Sequence, residues 1–448
     1  MEKKLYLVSL GCTKNLIDSE VMLGKLQDYT ICDDASDADL IIVNTCGFIQ
    51  SAKEESLDTI FELHAKRKKS SILVMSGCLS ERYKEELQDG LKQEVDIFTG
   101  VGDYDQIDKL VEQKINQFSP KVFLATQKNN RVITGSSYHA YIKLSEGCNQ
   151  QCSFCAIPSF KGKLNSRSLE SIKEEITSLV EQGFWEFSFV SQDSSSYLRD
   201  HNIYDGLEQL ISMVEKIKGV KIARILYLYP STTTKALIKA ISDSKIFMTY
   251  YDIPLQHISQ NILKIMRRGK GSEQIRELVE YMKSMPNSFI RSTFIVGHPG
   301  ETQKDFEDLC DFIKEVKFDR VNIFSYSDEE GTKAYDIDEK LDQEIIDNRA
   351  DILGKIVEDI TITELKNKIN TTIDVVIDGT SSEHEYLLSA RDIIWAPEVD
   401  GEIYINDNQL DHDLEVGKLY KAEVSELVGD KLVATVFSSI FDDIQVEH

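Results

Sequence analysis

Apolar residues arrive in distinct rhythms along this chain. Between Lys3 and Ser80 three near-continuous apolar runs occur, KKLYLVSLGC, DADLIIVNTCG and SSILVMSGCLS. Between them lie stretches such as DSEVMLGKLQDY and SAKEESLDTIFELHAKRKK, with apolar positions at helical spacing. Continuous runs alternating with helices predict a parallel sheet covered on both faces. The basic run Lys66–Lys69 suits the end of the second helix, where cations complement the dipole.

A polar stretch, QKNNRVITGSS at 127–137, reads as a linker. Beyond it the alternation resumes. Strands are predicted at YIKL, FWEFSFVSQ, KIARILYLY, MTYYDIPLQ, SFIRSTFIVG and RVNIFSYS, with helices such as SLESIKEEITSLVEQ and KDFEDLCDFIKEV between them. Six βα units are too few for a closed eight-fold barrel. They predict an open or partial one, with its site at the C-terminal strand ends. The last stretch changes to short runs broken by turns: TTIDVVIDGT, EYLLSA, GEIYIND and KLYKAEVSELVGDKLVATVF. That pattern predicts a small all-β barrel of the oligonucleotide-binding type. The expected organisation is α/β: an N-terminal parallel α/β domain over 1–125, a partial (βα)6 barrel over 135–368 and a small all-β barrel over 369–440.

At 448 residues and 41% hydrophobic, the chain can bury sizeable cores. No apolar run approaches the ~18 residues of a membrane span, and the apolar stretch after MEKK is too brief for a signal segment. A cytoplasmic location follows as the expectation. In that reducing compartment eight cysteines suit metal ligands or reactive thiols better than disulfides. Net charge is −25, and Thr371–His448 holds 4 basic against 18 acidic residues. Such a surface is either a solubility device or a site for a basic partner, and it repels phosphate backbones.

Six of the cysteines fall into two patterns. Cys148, Cys152 and Cys155 share SEGCNQQCSFCAIPS, directly after the strand YIKL. The spacing would also suit one helix face of core thiols, but Gly147, Asn149, Gln150 and Pro158 are loop chemistry. A structural zinc usually takes four ligands, and no fourth Cys or His lies nearby. Three thiolates instead suit an iron–sulfur cube with one open iron. Cys12, Cys46 and Cys78 each end an apolar run, beside Gly11, Gly47 and Gly77. In a parallel sheet these strand ends share one edge, so three thiolates again converge as for a cube with an open iron. Cys310, in a helical run with Phe306 and Ile313, reads as core; Cys32 has no assigned role.

The CxxxCxxC loop after a first barrel strand resembles the radical S-adenosylmethionine (SAM) superfamily. That resemblance implies that the amino and carboxylate groups of SAM chelate the open iron, and that an electron from the cluster releases a 5′-deoxyadenosyl radical. It places Phe154 near bound SAM. It also places Gln192 and Gln256, at strand ends, together with Val296 and Gly297 of FIVGHPGET, among the SAM contacts. No side chain is expected to act as acid or base.

With a second cysteine trio in front and a β-barrel behind, nearly the whole chain resembles the methylthiotransferases. SLGCTKNLIDSE, NTCGFIQSAKEES, EGCNQQCSFCAIPSFKGKLNSRS and IWAPEVDGEIYIND look like the branch called RimO, and the C-terminal module resembles a TRAM domain. The resemblance implies a transferase that adds a methylthio group to the β-carbon of an aspartate in ribosomal protein S-twelve. It implies two 4Fe–4S clusters, SAM as methyl donor and radical source, a sulfur source and an electron donor. Thr13, Lys161 and Asn165 depart from the usual residues. Lys161, Lys163 and Arg167 could meet a carboxylate or stand as solvated cations. A radical must be shielded, so an enclosed site between barrel mouth and N-terminal domain is expected. The rival readings are a tRNA (N6-isopentenyladenosine) methylthiotransferase, a non-catalytic electron carrier and a zinc-binding module. The acidic C-terminal segment disfavours RNA contact.

Overall fold

The computed structural model describes residues 3–381, 383–384 and 386–440. The first sheet is parallel throughout, with β1 (Lys3–Ser9), β2 (Tyr29–Ile31), β3 (Leu40–Thr45), β4 (Ile72–Gly77) and β5 (Ile97–Phe98) in the order β2-β1-β3-β4-β5. The three apolar runs supply β1, β3 and β4. The two remaining strands are too short to leave a hydrophobic rhythm. Helix α1 (Thr13–Lys25) begins five residues before its apolar pattern does, because its first turns bury Lys14, Asn15 and Asp18. Helix α2 (Gln50–Lys66) stops within the basic run, and Arg67 and Lys68 then pair with Asp96 and Asp39.

The stretch 127–137 is not the free spacer its polarity suggested. It contains neither helix nor strand, yet it is tied down. Arg131 pairs with Glu20 of α1 at 2.8 Å and with Glu175 of the helix Leu169–Glu181 at 2.6 Å. A Cβ at Gly24 would stand 2.0 Å from Asn130 O.

Next come β6 (His139–Lys143), a small antiparallel ladder of β7 (Ser145–Glu146) with β8 (Asn165–Ser166), then β9 (Glu186–Val190), β10 (Ile222–Ile225), β11 (Tyr250–Asp252), β12 (Phe289–Val296) and β13 (Arg320–Ser325). The six longer strands form two parallel ladders, β10-β9-β6 and β11-β12-β13. Backbone bonds from Ala223 N to Ile246 O (3.0 Å) and Met248 N to Ala223 O (2.9 Å) join them. The result is an open, partial (βα)6 barrel, its apolar interior running from Ile142 and Phe189 to Phe294 and Val296.

The C-terminal strands β14 (Thr372–Thr380), β15 (Leu388–Asp392), β16 (Ile403–Asn408), β17 (Leu419–Val428) and β18 (Lys431–Ser439) close a five-stranded barrel. Glu385, first residue of the EYLLSA run, lies outside the described residues. This barrel docks against the N-terminal ends of the large strands. Glu186 and Tyr250 each begin a strand. Glu186 takes both Arg224 and Arg391, while Tyr250 donates to Asp400 at 2.7 Å. Arg320, which opens β13, donates to Asp400 O at 2.7 Å. The opposite, C-terminal strand ends stay free for chemistry.

Candidate active site

The N-terminal cysteines lie at one sheet edge. Cys12 precedes the first residue of α1, Cys46 follows β3, and Cys78 opens the short helix Cys78–Arg82 directly after β4. Register places Thr45 beside Gly77 and Ser9 beside Asn44, so the three turns leave the sheet together. The approach is close. A Cβ on Gly11, whose φ is +85°, would stand 2.7 Å from Cys46 Cβ. Asn15 ties all three turns: its Nδ2 donates to Leu10 O (3.1 Å) and Thr45 O (3.2 Å), and its Oδ1 meets Cys78 Sγ at 3.6 Å. Ser56 fixes Cys46 through both its N–H and its carbonyl, each at 3.1 Å.

Burial, with neighbouring cysteines adding to it, pushes the Cys46 thiol up to about 11 and Cys78 to about 12. Burial does the same to Cys148 and Cys155, both at about 12. Metal ligation requires thiolates, so these four ionise only against strong local positive charge. Soft donors of that kind fit an iron–sulfur centre. Among the described residues no three His, Cys, Asp or Glu side chains close on a single metal-ion position. One tetrahedral ion, with bonds of about 2.3 Å, draws its thiolates almost into contact. A cube, seating each thiolate on a different iron, asks for no such convergence.

The second trio lies in the loop between β7 and the helix Ile157–Lys161. Cys148 N donates to Gly162 O at 3.1 Å, and Gln150 N donates to Cys148 Sγ at 3.4 Å. Gly147 has φ +76°, and a Cβ there would strike Lys163 O at 2.2 Å. Arg268 donates to Cys152 Sγ at 3.1 Å and lies over the Tyr229 ring, whose hydroxyl is 3.6 Å from the same sulfur.

Between the two trios sits a buried box of charges. Lys143 donates to Asp18 (2.5 Å) and Glu146 (2.7 Å), and Lys161 lies 3.5 Å from both carboxylates. Burial acts to raise Glu146, yet Lys143 and Lys161 hold it down at about 2. Lys161 is therefore not solvated: it is held between the two carboxylates, with no hydrogen bond at its Nζ. Arg167 is committed as well, to Glu175, Ser171 and the carbonyl of Lys143. Of the three cations only Lys163 is exposed.

The strand-end residues separate on inspection. Phe154 and Gln256 line one cavity of about 120 Å³ with Phe48, Ile49, Ile295 and Tyr326. Gln256 has φ +76°, and its buried Oε1 has no hydrogen-bond partner. Gln192 instead donates to Glu146. Val296 is fully buried, and Gly297 gives its N–H to Glu301 at 2.7 Å. A Cβ on Gly297 would meet Ile346 at 2.5 Å, so glycine is needed there for packing of the helix Gln343–Asn367. The cavity joins the two trios: Phe48 lies two residues after Cys46, and Phe154 lies between Cys152 and Cys155. Sequence reasoning passed over Asn15, Ser56, Tyr229 and Arg268. Nothing in the local sequence marks them: Asn15 follows Thr13 and Lys14, Ser56 follows Glu54 and Glu55, and Arg268 follows Arg267.

Residues 142–313 match the radical SAM superfamily, 369–437 a TRAM domain, and 4–100 an uncharacterized protein family. The ribosomal protein uS12 methylthiotransferase RimO of Aliarcobacter butzleri is 63% identical, covering 97% of this chain and 98% of that protein. The protein of the same name from Sulfurovum sp. is 61% identical, over 97% and 98%. The chain belongs to the RimO family of radical SAM methylthiotransferases. A Campylobacter jejuni member is 52% identical over 98% of this chain and 99% of its own length. Among solved structures, the radical SAM methyltransferase TsrM of Kitasatospora setae, with cobalamin and a 4Fe–4S cluster bound, has a TM-score of 0.51 at 14% identity, covering 72% of each chain. At that identity only the fold is shared. No helix among the described residues is long and apolar enough to cross a membrane.

Proposed function

We propose that this chain attaches a methylthio group to the β-carbon of an aspartate in ribosomal protein uS12, using two iron–sulfur clusters and SAM in the cytoplasm. The single observation that carries the reading is the cavity touched by both cysteine loops. Within it, residues 1–125 act as the sulfur-handling domain, 135–368 as the radical domain and 369–440 as the docking barrel.

Cys12, Cys46 and Cys78 would hold one cluster, and Cys148, Cys152 and Cys155 the other, each leaving an iron open. When bound, such clusters and SAM supply a one-electron S–C cleavage yielding a carbon radical, and an iron-held sulfur that accepts a methyl group. The chain's residues do the rest. Phe48, Ile49, Phe154, Ile295 and Tyr326 exclude water from the reacting carbon, which protects a radical from side reactions. Gln256, with its free amide oxygen, offers a polar contact to SAM. An aspartate β-C–H is too weakly acidic for base catalysis, which is why no acid–base pair is assigned. The acidic C-terminal barrel favours a basic ribosomal protein over RNA. A reductant and a sulfur source are required partners.

The test is anaerobic reconstitution with iron and sulfide, followed by SAM and a reductant. Purified uS12 and hypomodified tRNA are offered separately and each product is weighed by mass spectrometry. A methylthio increment on an aspartate peptide is expected. An increment on tRNA alone would overturn the substrate assignment and leave the two-cluster chemistry standing.

A further inference from the structure

The loop after β13 is stitched to both cysteine loops. On one side, Glu329 Oε2 accepts from Arg82 Nη1 (2.6 Å) and Lys53 Nζ (2.9 Å) of the N-terminal α/β unit. Arg82 also donates to Gly47 O (2.9 Å), directly after Cys46, and through Nη2 to Glu330 O (2.9 Å). Ser327 Oγ accepts from Gln50 N (3.1 Å) and donates to Glu329 Oε1 (2.7 Å). On the other side, Ala334 N donates to Ser153 O at 2.8 Å, inside the second cysteine loop. Thr332 folds the segment between, its Oγ1 donating to Glu329 O at 2.8 Å.

The side chains of Arg82 and Glu329 are only 6% and 2% exposed. An ion pair so buried costs desolvation and tolerates no missing partner. Here it bonds a carbonyl beside one cluster ligand to a loop that bonds a carbonyl beside another.

We propose that Glu329 is a positioning residue, and that the segment Ser327–Ala334 is a strap fixing the Cys46 loop in register with the Cys152–Cys155 loop, so that sulfur on one side meets the carbon radical on the other. The idea rests on the two-cluster reading of the cysteines. A displacement of about 1 Å between reacting groups costs on the order of 10²-fold in rate. A loosened strap therefore lets SAM be cleaved without productive transfer.

The experiment compares the wild type with Glu329→Gln, Glu329→Asp and Ser327→Ala. Two quantities are read: hydrogen exchange at the amides of Gln50 and Ala334, and 5′-deoxyadenosine formed per methylthio group transferred to uS12. Glu329→Gln is expected to speed exchange at both amides by about tenfold, the equivalent of one hydrogen bond, and to raise the product ratio by about tenfold or more. Glu329→Asp, which keeps the charge, is expected to recover part of the coupling. Ser327→Ala is the milder variant should Glu329→Gln fail to fold, and it is expected to raise the ratio less. An unchanged ratio in Glu329→Gln, or in Ser327→Ala if the former does not fold, overturns the proposal. So does faster exchange confined to Gln50. The exchange measurement on protein without clusters tests the strap by itself. The iron content of the reconstituted wild type tests the two-cluster reading separately, since a single cluster's worth would remove that reading whatever the amides do.

Discussion

The guanidinium of Arg268 donates through Nη1 to the sulfur of Cys152 at 3.1 Å. Nη2 is anchored on Pro254 O, and the plane lies over Tyr229, so the fork has little freedom. Hydrogen bonds to cluster thiolates set reduction potentials, and a cation favours the more negative, reduced state. In a Cys46→Ala background, expected to leave only the barrel cluster, Arg268→Met should lower the cluster's potential by roughly 60 mV or more. That is the one-electron equivalent of about 1.4 kcal/mol for a lost charged hydrogen bond. Redox titration followed by electron paramagnetic resonance reads it. An unmoved midpoint would mean the contact does not persist around the loaded cluster.

The two trios should fail differently. Cys78→Ala is expected to halve bound iron, to spare reductive SAM cleavage and to abolish methylthio transfer. Cys148→Ala is expected to halve iron as well, but to abolish both. Iron assay with product counting separates the cases. Equal loss of SAM cleavage in both variants would sink the division of labour.

Gly11 offers a steric test of the first site that leaves every ligand in place. A methyl group there would stand 2.7 Å from Cys46 Cβ, on backbone with φ +85°. That region costs a side-chain-bearing residue about 1 kcal/mol before any clash. Gly11→Ala should therefore fold, with a thermal midpoint lower by a few degrees, and retain about half the wild-type iron. Full iron loading would show that the Cys12 turn yields without disturbing the ligands.

The sequence disclosed what depends on local pattern. The placement of Cys12, Cys46 and Cys78 at one sheet edge was legible because each ends an apolar run, and a parallel sheet brings such ends together. The loop of Cys148, Cys152 and Cys155 was legible from Gly147, Asn149, Gln150 and Pro158 around the cysteines, because their spacing alone also suits a helix face. What stayed hidden is the polar interior. Lys161 and Arg131 look like surface cations in any window of sequence, and only the fold reveals carboxylates on other elements, Asp18 and Glu146 or Glu20 and Glu175, that draw them inside. The same blindness delayed the start of α1, whose first turn buries Lys14 and Asn15. Gly297 carries the opposite lesson. A glycine suited to approaching a ligand was legible, yet the close neighbour is Ile346 of a later helix.

Glu186 locks the C-terminal barrel to the (βα)6 barrel and should contribute to acid stability. It lies fully buried at the start of β9, paired with Arg224 of β10 and Arg391 of β15. Burial acts to raise its carboxyl, but Arg391 and Arg224 outweigh this and hold it at about 2, down from 4.5. Since the folded value lies below the unfolded one, this group's stabilisation is complete above about pH 4.5. It shrinks as pH falls toward 2, where the folded carboxylate itself takes a proton. Glu186→Gln removes the charge at every pH, leaving buried Arg224 without a carboxylate and Arg391 with Asp378 alone, at 3.2 Å. Breaking a buried pair in this way costs on the order of 3–5 kcal/mol. Urea denaturation of the wild type and variant at pH 7 and pH 3.5 checks both halves. The gap between the two proteins should narrow at the lower pH. A gap independent of pH would mean that packing around residue 186, and not its charge, holds the two barrels together.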